Sequence, residues 1–268
     1  MTSSLPPVLY HFFRYPVPYG RTLLLQEKLH ALQLAQRRQS QSHNDYLLLL
    51  QHRPVYTTGR RQIATSPEVL AEETRLTQIG ADFVTTQRGG QLTYHGPGQI
   101  VGYPLMDLGR TTPTLHTRDY ICKMQKLLER HLKEQHGIKT IPSDHTGVFL
   151  DEYTKVASIG VQVRHRLTTH GFAFNVTPEP KRWFDRVVAC GLDGVRAGCI
   201  ADVSFKKESI SVEDEIPPLV EGFGRAYERK VEKLDPGAEG EAGELIMELE
   251  EAAKALGPWP EAPSPESH

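Results

Sequence analysis

Residues 88–108 read RGGQLTYHGPGQIVGYPLMDL, a run of strand-forming residues broken repeatedly by glycine, with two glycines adjacent at Gly89 and Gly90. Glycine weakens a strand, and where it recurs in one it often marks a bulge or a close approach by a ligand or another backbone. Gly89 and Gly90 therefore read two ways, as a tight turn or as the place where a chain lies against a sheet. The segment contains neither GxxxxGK[ST] nor GxGxxG, so nothing local supports nucleotide binding. His95, between Tyr94 and Gly96, could move a proton or orient a carbonyl, and could equally bond to its own loop.

Outward from this segment the chain alternates helical and strand patterns. Leu25, Leu29, Leu32 and Ala35 follow helical spacing and predict an amphipathic helix from Tyr19 to Arg38, ended by the polar stretch after it. Tyr46–Leu50 is a short apolar run that predicts a buried strand. Ile121, Met124, Leu128 and Leu132 predict a second helix over about Thr117 to His136, capped by Thr117 and stopped by Gly137. Between Lys155 and Arg164, Ala157, Ile159, Val161 and Val163 alternate with Ser158, Gly160, Gln162 and Arg164, the period of a half-buried strand, and His170–Val176 repeats it. Pro217 and Pro218 stand where a further helix could begin, with Leu219, Phe223 and Tyr227 on one face.

The chain has 268 residues with 38% hydrophobic content, enough for one sizeable core. No apolar run reaches the roughly 18 residues of a membrane span, since Leu47–Leu50 is closed by Gln51, His52 and Arg53. A soluble protein with no membrane partner is expected. Three cysteines, Cys122, Cys190 and Cys199, neither staple a secreted fold nor form a CxxC zinc pair, so free thiols in a reducing compartment are expected. The first acidic residue is Glu27, a faint transit-peptide signature. From Asp235 onward lie nine acids and one Lys. That leaves 30 Lys and Arg against 24 Asp and Glu in residues 1–234, a body near +6 that attracts an acidic partner. Residues 235–268, rich in Pro and Glu with one short helix possible at Glu244–Leu256, are expected to form a mobile tail.

Two residues could carry chemistry. Cys190, in VVACGLDGV, sits between an apolar stretch and glycines, a setting for a nucleophile, although isolated cysteines are commonly small buried hydrophobes and only Arg186 is a near cation in sequence. Lys155 precedes the apolar strand VASIGV, which could hold its amine near the sheet, although lysines at strand starts are commonly surface charges.

Taken together and in this order, RGGQLTYHGPGQIVGYPLMDL, KVASIG, THGFAFNV and ACG resemble the lipoyl(octanoyl) transferase family, of LipB type. QEKLH and LLLLQHRPVYTTGR extend the resemblance to roughly residues 8–230. Two departures stand out: Ala189 where the family usually has Pro before the cysteine, and Gln51 where it commonly has Glu. The resemblance implies a single α/β (α+β) domain over residues 1–234, with a central mixed β-sheet and flanking helices, of the biotin/lipoate protein ligase type. It implies transfer of an octanoyl group from octanoyl-acyl carrier protein to a lysine of lipoyl domains of 2-oxoacid dehydrogenase complexes and of the glycine cleavage H protein. No cofactor, metal or nucleic acid is implied, and a mitochondrial location is.

By the same resemblance Cys190 is the nucleophile that carries the acyl group as a thioester, and Lys155 activates it. The acyl slot is lined by Arg88, Gly89, Gly90, Gln91, Leu92, Thr93, Tyr94 and His95, with Ser158, Ile159 and Gly160 and with Gly171, Phe172 and Ala173. Small residues of the alternating strands should then face the ligand and large ones the core. Backbone amides near Gly191 or Gly171 are the candidate oxyanion donors. Arg37-Arg38, Arg60-Arg61 and Lys206-Lys207 are candidate docking pairs. Three rivals remain: an ATP-dependent lipoate or biotin ligase, an inactive scaffold that binds lipoyl domains, and a thiol hydrolase, for which no Asn or Asp obviously completes a Cys–His arrangement.

Overall fold

A computed structural model describes residues 5–39, 42–187, 194–205 and 210–264. Eight strands form a mixed sheet. In spatial order they are β10 (Arg196–Ala197), β8 (Thr154–Arg164), β9 (Leu167–Asn175), β6 (Gln99–Leu105), β2 (Asp45–Leu50), β1 (Val8–Phe12) and β11 (Val231–Lys233), with β7 (Val148–Asp151) also paired to β8. β1 runs parallel to β2 and β11, whereas β2, β6, β9 and β8 pair antiparallel in succession. A smaller sheet joins β4 (Asp82–Thr85), β3 (Val55–Thr58) and β5 (Thr93–His95).

The sequence of β2 explains its central place. All six residues are buried, and they alternate between two cores. Leu47 and Leu49 join Met124, Leu128 and Leu132 of α3 (Thr117–His136) and Leu219 and Phe223 of α6 (Val212–Tyr227). Tyr46, Leu48 and Leu50 join Leu25 and Leu29 of α1 (Tyr19–Arg38) and Ile246 and Leu249 of α7 (Gly240–Lys254). Helices thus cover both faces of a mixed sheet, the α/β (α+β) architecture expected. A third core, with Tyr56, Leu76, Tyr94 and Trp183, holds the small sheet against α2 (Pro67–Gln78) and α4 (Glu179–Phe184).

Three expectations are corrected. Thr117 is the first residue of α3 and not its cap, because the non-helical φ/ψ falls on His116; Gly137, at φ 67°, ends the helix as expected. α6 begins at Val212, five residues before Pro217. Ser211 accepts a hydrogen bond from the Asp214 N–H, and the carbonyls that the two prolines leave without a donor belong to the exposed Glu213 and Asp214, where water reaches them. The segment from Asp235 is not all mobile tail, since Gly240–Lys254 is a helix whose Ala242, Ile246, Leu249 and Ala253 are buried against α1. Its many glutamates hide a stripe at helical spacing, and those charges occupy the outer face. Among the described residues no helix is long and apolar enough to cross a membrane.

Candidate active site

β8 outlasts its outer neighbours. β7 and β10 pair only with its first half, up to Ala157. Beyond that point the loop at Arg88–Gly90 takes the edge, and the Gly89 N–H donates to the Val161 carbonyl at 3.0 Å. This is the close backbone approach that one reading of the glycine pair anticipated. A Cβ on Gly160 would stand 2.8 Å from the Gly89 carbonyl oxygen, and one on Gly59 would collide with Gly90, so the loop fits only because its neighbours lack side chains. Arg88 is buried and anchors the loop: its Nη2 donates to the Thr57 carbonyl at 2.6 Å, to Thr57 Oγ1 at 2.8 Å and to the Gln91 carbonyl at 3.0 Å.

Between this loop and the sheet opens a cavity of about 560 Å³. Its β-sheet wall is set by the β8–β9 register, which pairs Ser158 with Ala173 and Gly160 with Gly171. These small residues share one face with Val101 and Tyr103, while Ile159, Phe172 and Val161 alternate to the opposite face and pack on the core under α3. Tyr19, at the start of α1, stacks on His95 with ring centroids 5.9 Å apart, and both line the cavity.

Lys155 enters the same cavity from the start of β8. Its Nζ lies 5.4 Å from the centroid of the Phe149 ring, and its stem runs over Gly147, whose φ of 135° and lack of a Cβ make that path open. Among the described residues no carboxylate pairs with this ammonium, which leaves its charge available to an anion in the cavity. Arg60 and Arg61, read in the sequence as a docking pair, also line the cavity.

Three buried imidazoles in or beside the cavity, His52, His95 and His170, are held neutral. His52 donates from Nδ1 to the Val17 carbonyl (3.0 Å) and accepts at Nε2 from the Tyr103 hydroxyl (2.7 Å). Burial lowers its pKa to about 4. Burial, then the charges of Arg88 and Arg164, lower His170 to about 3. Burial, then His52 and Arg88, hold His95 well below the usual imidazole range. Gln99 donates to the Asn175 side chain (2.8 Å) and the Tyr94 carbonyl, so its Oε1 accepts from His95 Nδ1 at 2.8 Å. His95 Nε2 is then the ring's acceptor. Burial likewise pushes Tyr19 up to about 12. The result is a low-dielectric slot in which neutral imidazoles stand among the cations Arg60, Arg61, Arg88, Arg164 and Lys155.

The family model for the lipoyl protein ligase A/B catalytic domain matches residues 21–224 of the sequence. The chain belongs to the lipoyl protein ligase A/B catalytic family. It is 37% identical over 181 residues to the mitochondrial octanoyl-[acyl-carrier-protein]:protein N-octanoyltransferase of Danio rerio, covering 68% of this chain and 76% of that one. It is 34% identical to an octanoyltransferase of Caldicellulosiruptor saccharolyticus (80% and 86% covered) and 34% to a mitochondrial octanoyltransferase of Arabidopsis thaliana (82% and 90%). The fold is that of lipoate-protein ligase A bound with ATP, with a TM-score of 0.61 at 15% identity over 96% of this chain and 97% of that one. A Thermoplasma acidophilum bipartite lipoate protein ligase gives 0.59 at 14%, with 92% of each chain covered. This lipoyl ligase-family chain is an enzyme of the acyltransferase class.

Of the residues expected in the acyl slot of this family member, Arg88, Gly89, Gly90, Thr93, His95, Ser158, Ile159, Gly160, Gly171, Phe172 and Ala173 line one cavity with Lys155. Three others lie elsewhere. Gln91 and Leu92 border a separate groove with Arg75 and Asp185, and the Tyr94 ring stacks on Trp183 (centroids 5.3 Å apart) inside the third core. In β5 a side chain every second residue turns from the slot into that core. Cys190 and Gly191 lie outside the described residues, as do Lys206 and Lys207. Tyr19, Val101, Tyr103 and His170 line the cavity without having been anticipated.

Proposed function

We propose that this chain is an octanoyltransferase of protein lipoylation, which takes octanoyl from octanoyl-acyl carrier protein, holds it on Cys190 as a thioester and passes it to a lysine of a lipoyl domain. The observation that carries this reading is the entry of Lys155 into the same cavity as the Arg88–Gly90 loop and the small-residue face of β8 and β9. Chain connectivity is compatible with it: Ala197 pairs with Lys155, and the seven residues back to Cys190 span at most about 25 Å.

The chemistry follows from charge. An ammonium beside a thiol favours the thiolate, which attacks the octanoyl carbonyl while the C–S bond to the carrier breaks. The departing carrier thiolate takes the Lys155 proton. Lys155, now an amine, accepts a proton from the incoming lysine, whose free pKa of about 10.4 otherwise keeps it protonated. That lysine attacks the enzyme thioester, its second proton passes to solvent as the amide forms, and Cys190 leaves as a thiolate beside the Lys155 ammonium. Both steps start from thioesters, so ATP is not consumed.

Eight carbons in the slot gain roughly 5 kcal/mol at about 0.8 kcal/mol per buried methylene, so slot depth reads chain length. Neutral histidines suit this role, since charged ones would hold water along the acyl path. The amide of Gly171, which lines the cavity, and that of Gly191 are the oxyanion candidates. Lipoyl domains of 2-oxoacid dehydrogenase complexes and the glycine cleavage H protein are the acceptors. The mitochondrion is the compartment we assign, in line with the names of the zebrafish and Arabidopsis relatives and the acid-free first 26 residues.

The test supplies a lipoyl domain with either octanoyl-carrier protein alone or octanoate with ATP. Octanoylation of the domain only from the carrier-bound donor is expected. Modification only from octanoate and ATP would assign a ligase, and none from either would leave a binding scaffold.

A further inference from the structure

Away from the slot, the last turn of α3 meets the first turn of α6. Glu215 Oε2 lies 2.5 Å from His131 Nε2 and 3.0 Å from His136 Nε2. All three side chains are nearly inaccessible, at 7%, 2% and 6% exposed. One ligand atom from each falls within 4.8 Å of the other two, and among the described residues no other group of three or more His, Cys, Asp or Glu converges in this way. None of the three borders the acyl cavity.

We propose that His131, His136 and Glu215 form a site for a divalent transition metal of the zinc class, which ties α3 to α6 over one face of the sheet. Two imidazoles and a carboxylate are the donor set that Zn²⁺ accepts, at about 2.0–2.2 Å per bond. A tetrahedral ion with such bonds needs ligand atoms about 3.3–3.5 Å apart. Opening the present triangle to that spacing takes shifts of about 1 Å. Most of that shift falls between Glu215 and His131, the closest pair, and His136, the final residue of α3 with Gly137 after it in a left-handed conformation, can follow.

The electrostatics favour a cation here. Glu215 Oε2 is the shared hydrogen-bond partner of both imidazoles, so one carboxyl oxygen and two ring nitrogens converge on one point. Hydrogen bonding inside the cluster does not satisfy it fully: His136 Nδ1 is buried and unpaired among the described residues. A divalent ion would turn the single negative charge into a site with three protein bonds.

The test uses the full chain after chelator treatment, titrated with Zn²⁺ by calorimetry and with Co²⁺ by absorption. The wild type is expected to bind one equivalent, to show the visible bands of tetrahedral Co²⁺, and to melt at a temperature that rises with metal concentration. Cys190→Ser should bind as the wild type does, which separates this site from any metal held by the reactive thiol. Glu215→Gln should lose the bands and the thermal shift, and so should His136→Asn, a milder change at a helix end. A wild type that binds no metal, or whose metal persists in His136→Asn and in a folded Glu215→Gln, overturns the proposal and leaves a hydrogen-bonded link between the helices.

Discussion

At the scale of single residues, Gly160 offers the sharpest mutation. A methyl there meets the Gly89 carbonyl at 2.8 Å and the Arg88 side chain at 3.4 Å, so Gly160→Ala should push the loop off β8 and narrow the slot. Octanoyl transfer should fall on the order of tenfold to a hundredfold, as misplacement of this size does elsewhere, with little loss of fold; initial rates and a melting curve check both. The buried histidines set a pH dependence. His52 and His170 have folded pKa values near 4 and 3, below the unfolded value of about 6.5, so between those limits the unfolded chain binds more protons. Stability is therefore full above pH 6.5 and falls as pH drops, by about 1.4 kcal/mol per pH unit for each histidine. Denaturant midpoints between pH 7.5 and 5 should show the decline, and His170→Gln should make it shallower.

The grouping of residues around the cavity was legible in part. Ser158, Gly160, Gly171 and Ala173 share one wall of the cavity because period-two alternation states which residues share a face, and a close backbone approach was one of the two readings of the glycine pair. Gln91, Leu92 and Tyr94 were misplaced because the loop ends within the motif, and β5 then sends Tyr94 into the third core. Tyr103 and His170 carry no local signal; they join the slot through pairing of β6, β9 and β8, which only the register reveals. His131 and His136 fall at a spacing that zinc sites use, but Glu215 lies 79 or more residues further on, in another helix, so the pair alone did not announce the cluster.

Among the elements, the spans of α1 and α3 were legible: Leu25 and Leu29 of α1 and Met124, Leu128 and Leu132 of α3 are buried at the expected spacing, although Thr22, Gln26, His30 and Gln33 fill the rest of the buried face of α1. α7 was legible only in part: a short helix at Glu244–Leu256 was expected, but its start at Gly240 and its packing were not, because its nine-acid surroundings resemble a solvated tail and its stripe of Ala242, Ile246, Leu249 and Ala253 is thin. That stripe makes a testable claim. Leu249→Ala should cost about 2–5 kcal/mol, as for other buried leucines, while the exposed Glu248→Ala should change stability by less than about 0.5 kcal/mol. Chemical denaturation of both variants is the check, and a truncation after Leu234 should expose the apolar face of α1 and reduce solubility.

For the whole molecule, charge is divided between a basic body and an acidic end, and Arg60 and Arg61 bring part of the body's charge to the mouth of the slot. Reversal of both, as Arg60→Glu with Arg61→Glu, should raise KM for octanoyl-carrier protein more than kcat falls. The defect should shrink as salt rises, because screening shortens to about 3 Å at 1 M. A small octanoyl thioester without an acidic carrier should be spared. The fold itself, with helices on both faces of a mixed sheet, serves to bring the start of β8 and the glycine loop to one cavity, and the account rests on Cys190 meeting Lys155 there. Intact mass of the enzyme after brief exposure to octanoyl-carrier protein tests this most directly. One octanoyl group is expected on the wild type, none on Cys190→Ala, and a slower, more alkaline acylation profile for Lys155→Ala; an octanoyl group retained in Cys190→Ala, or no adduct on the wild type while the lipoyl domain is still modified, would rule out a Cys190 thioester.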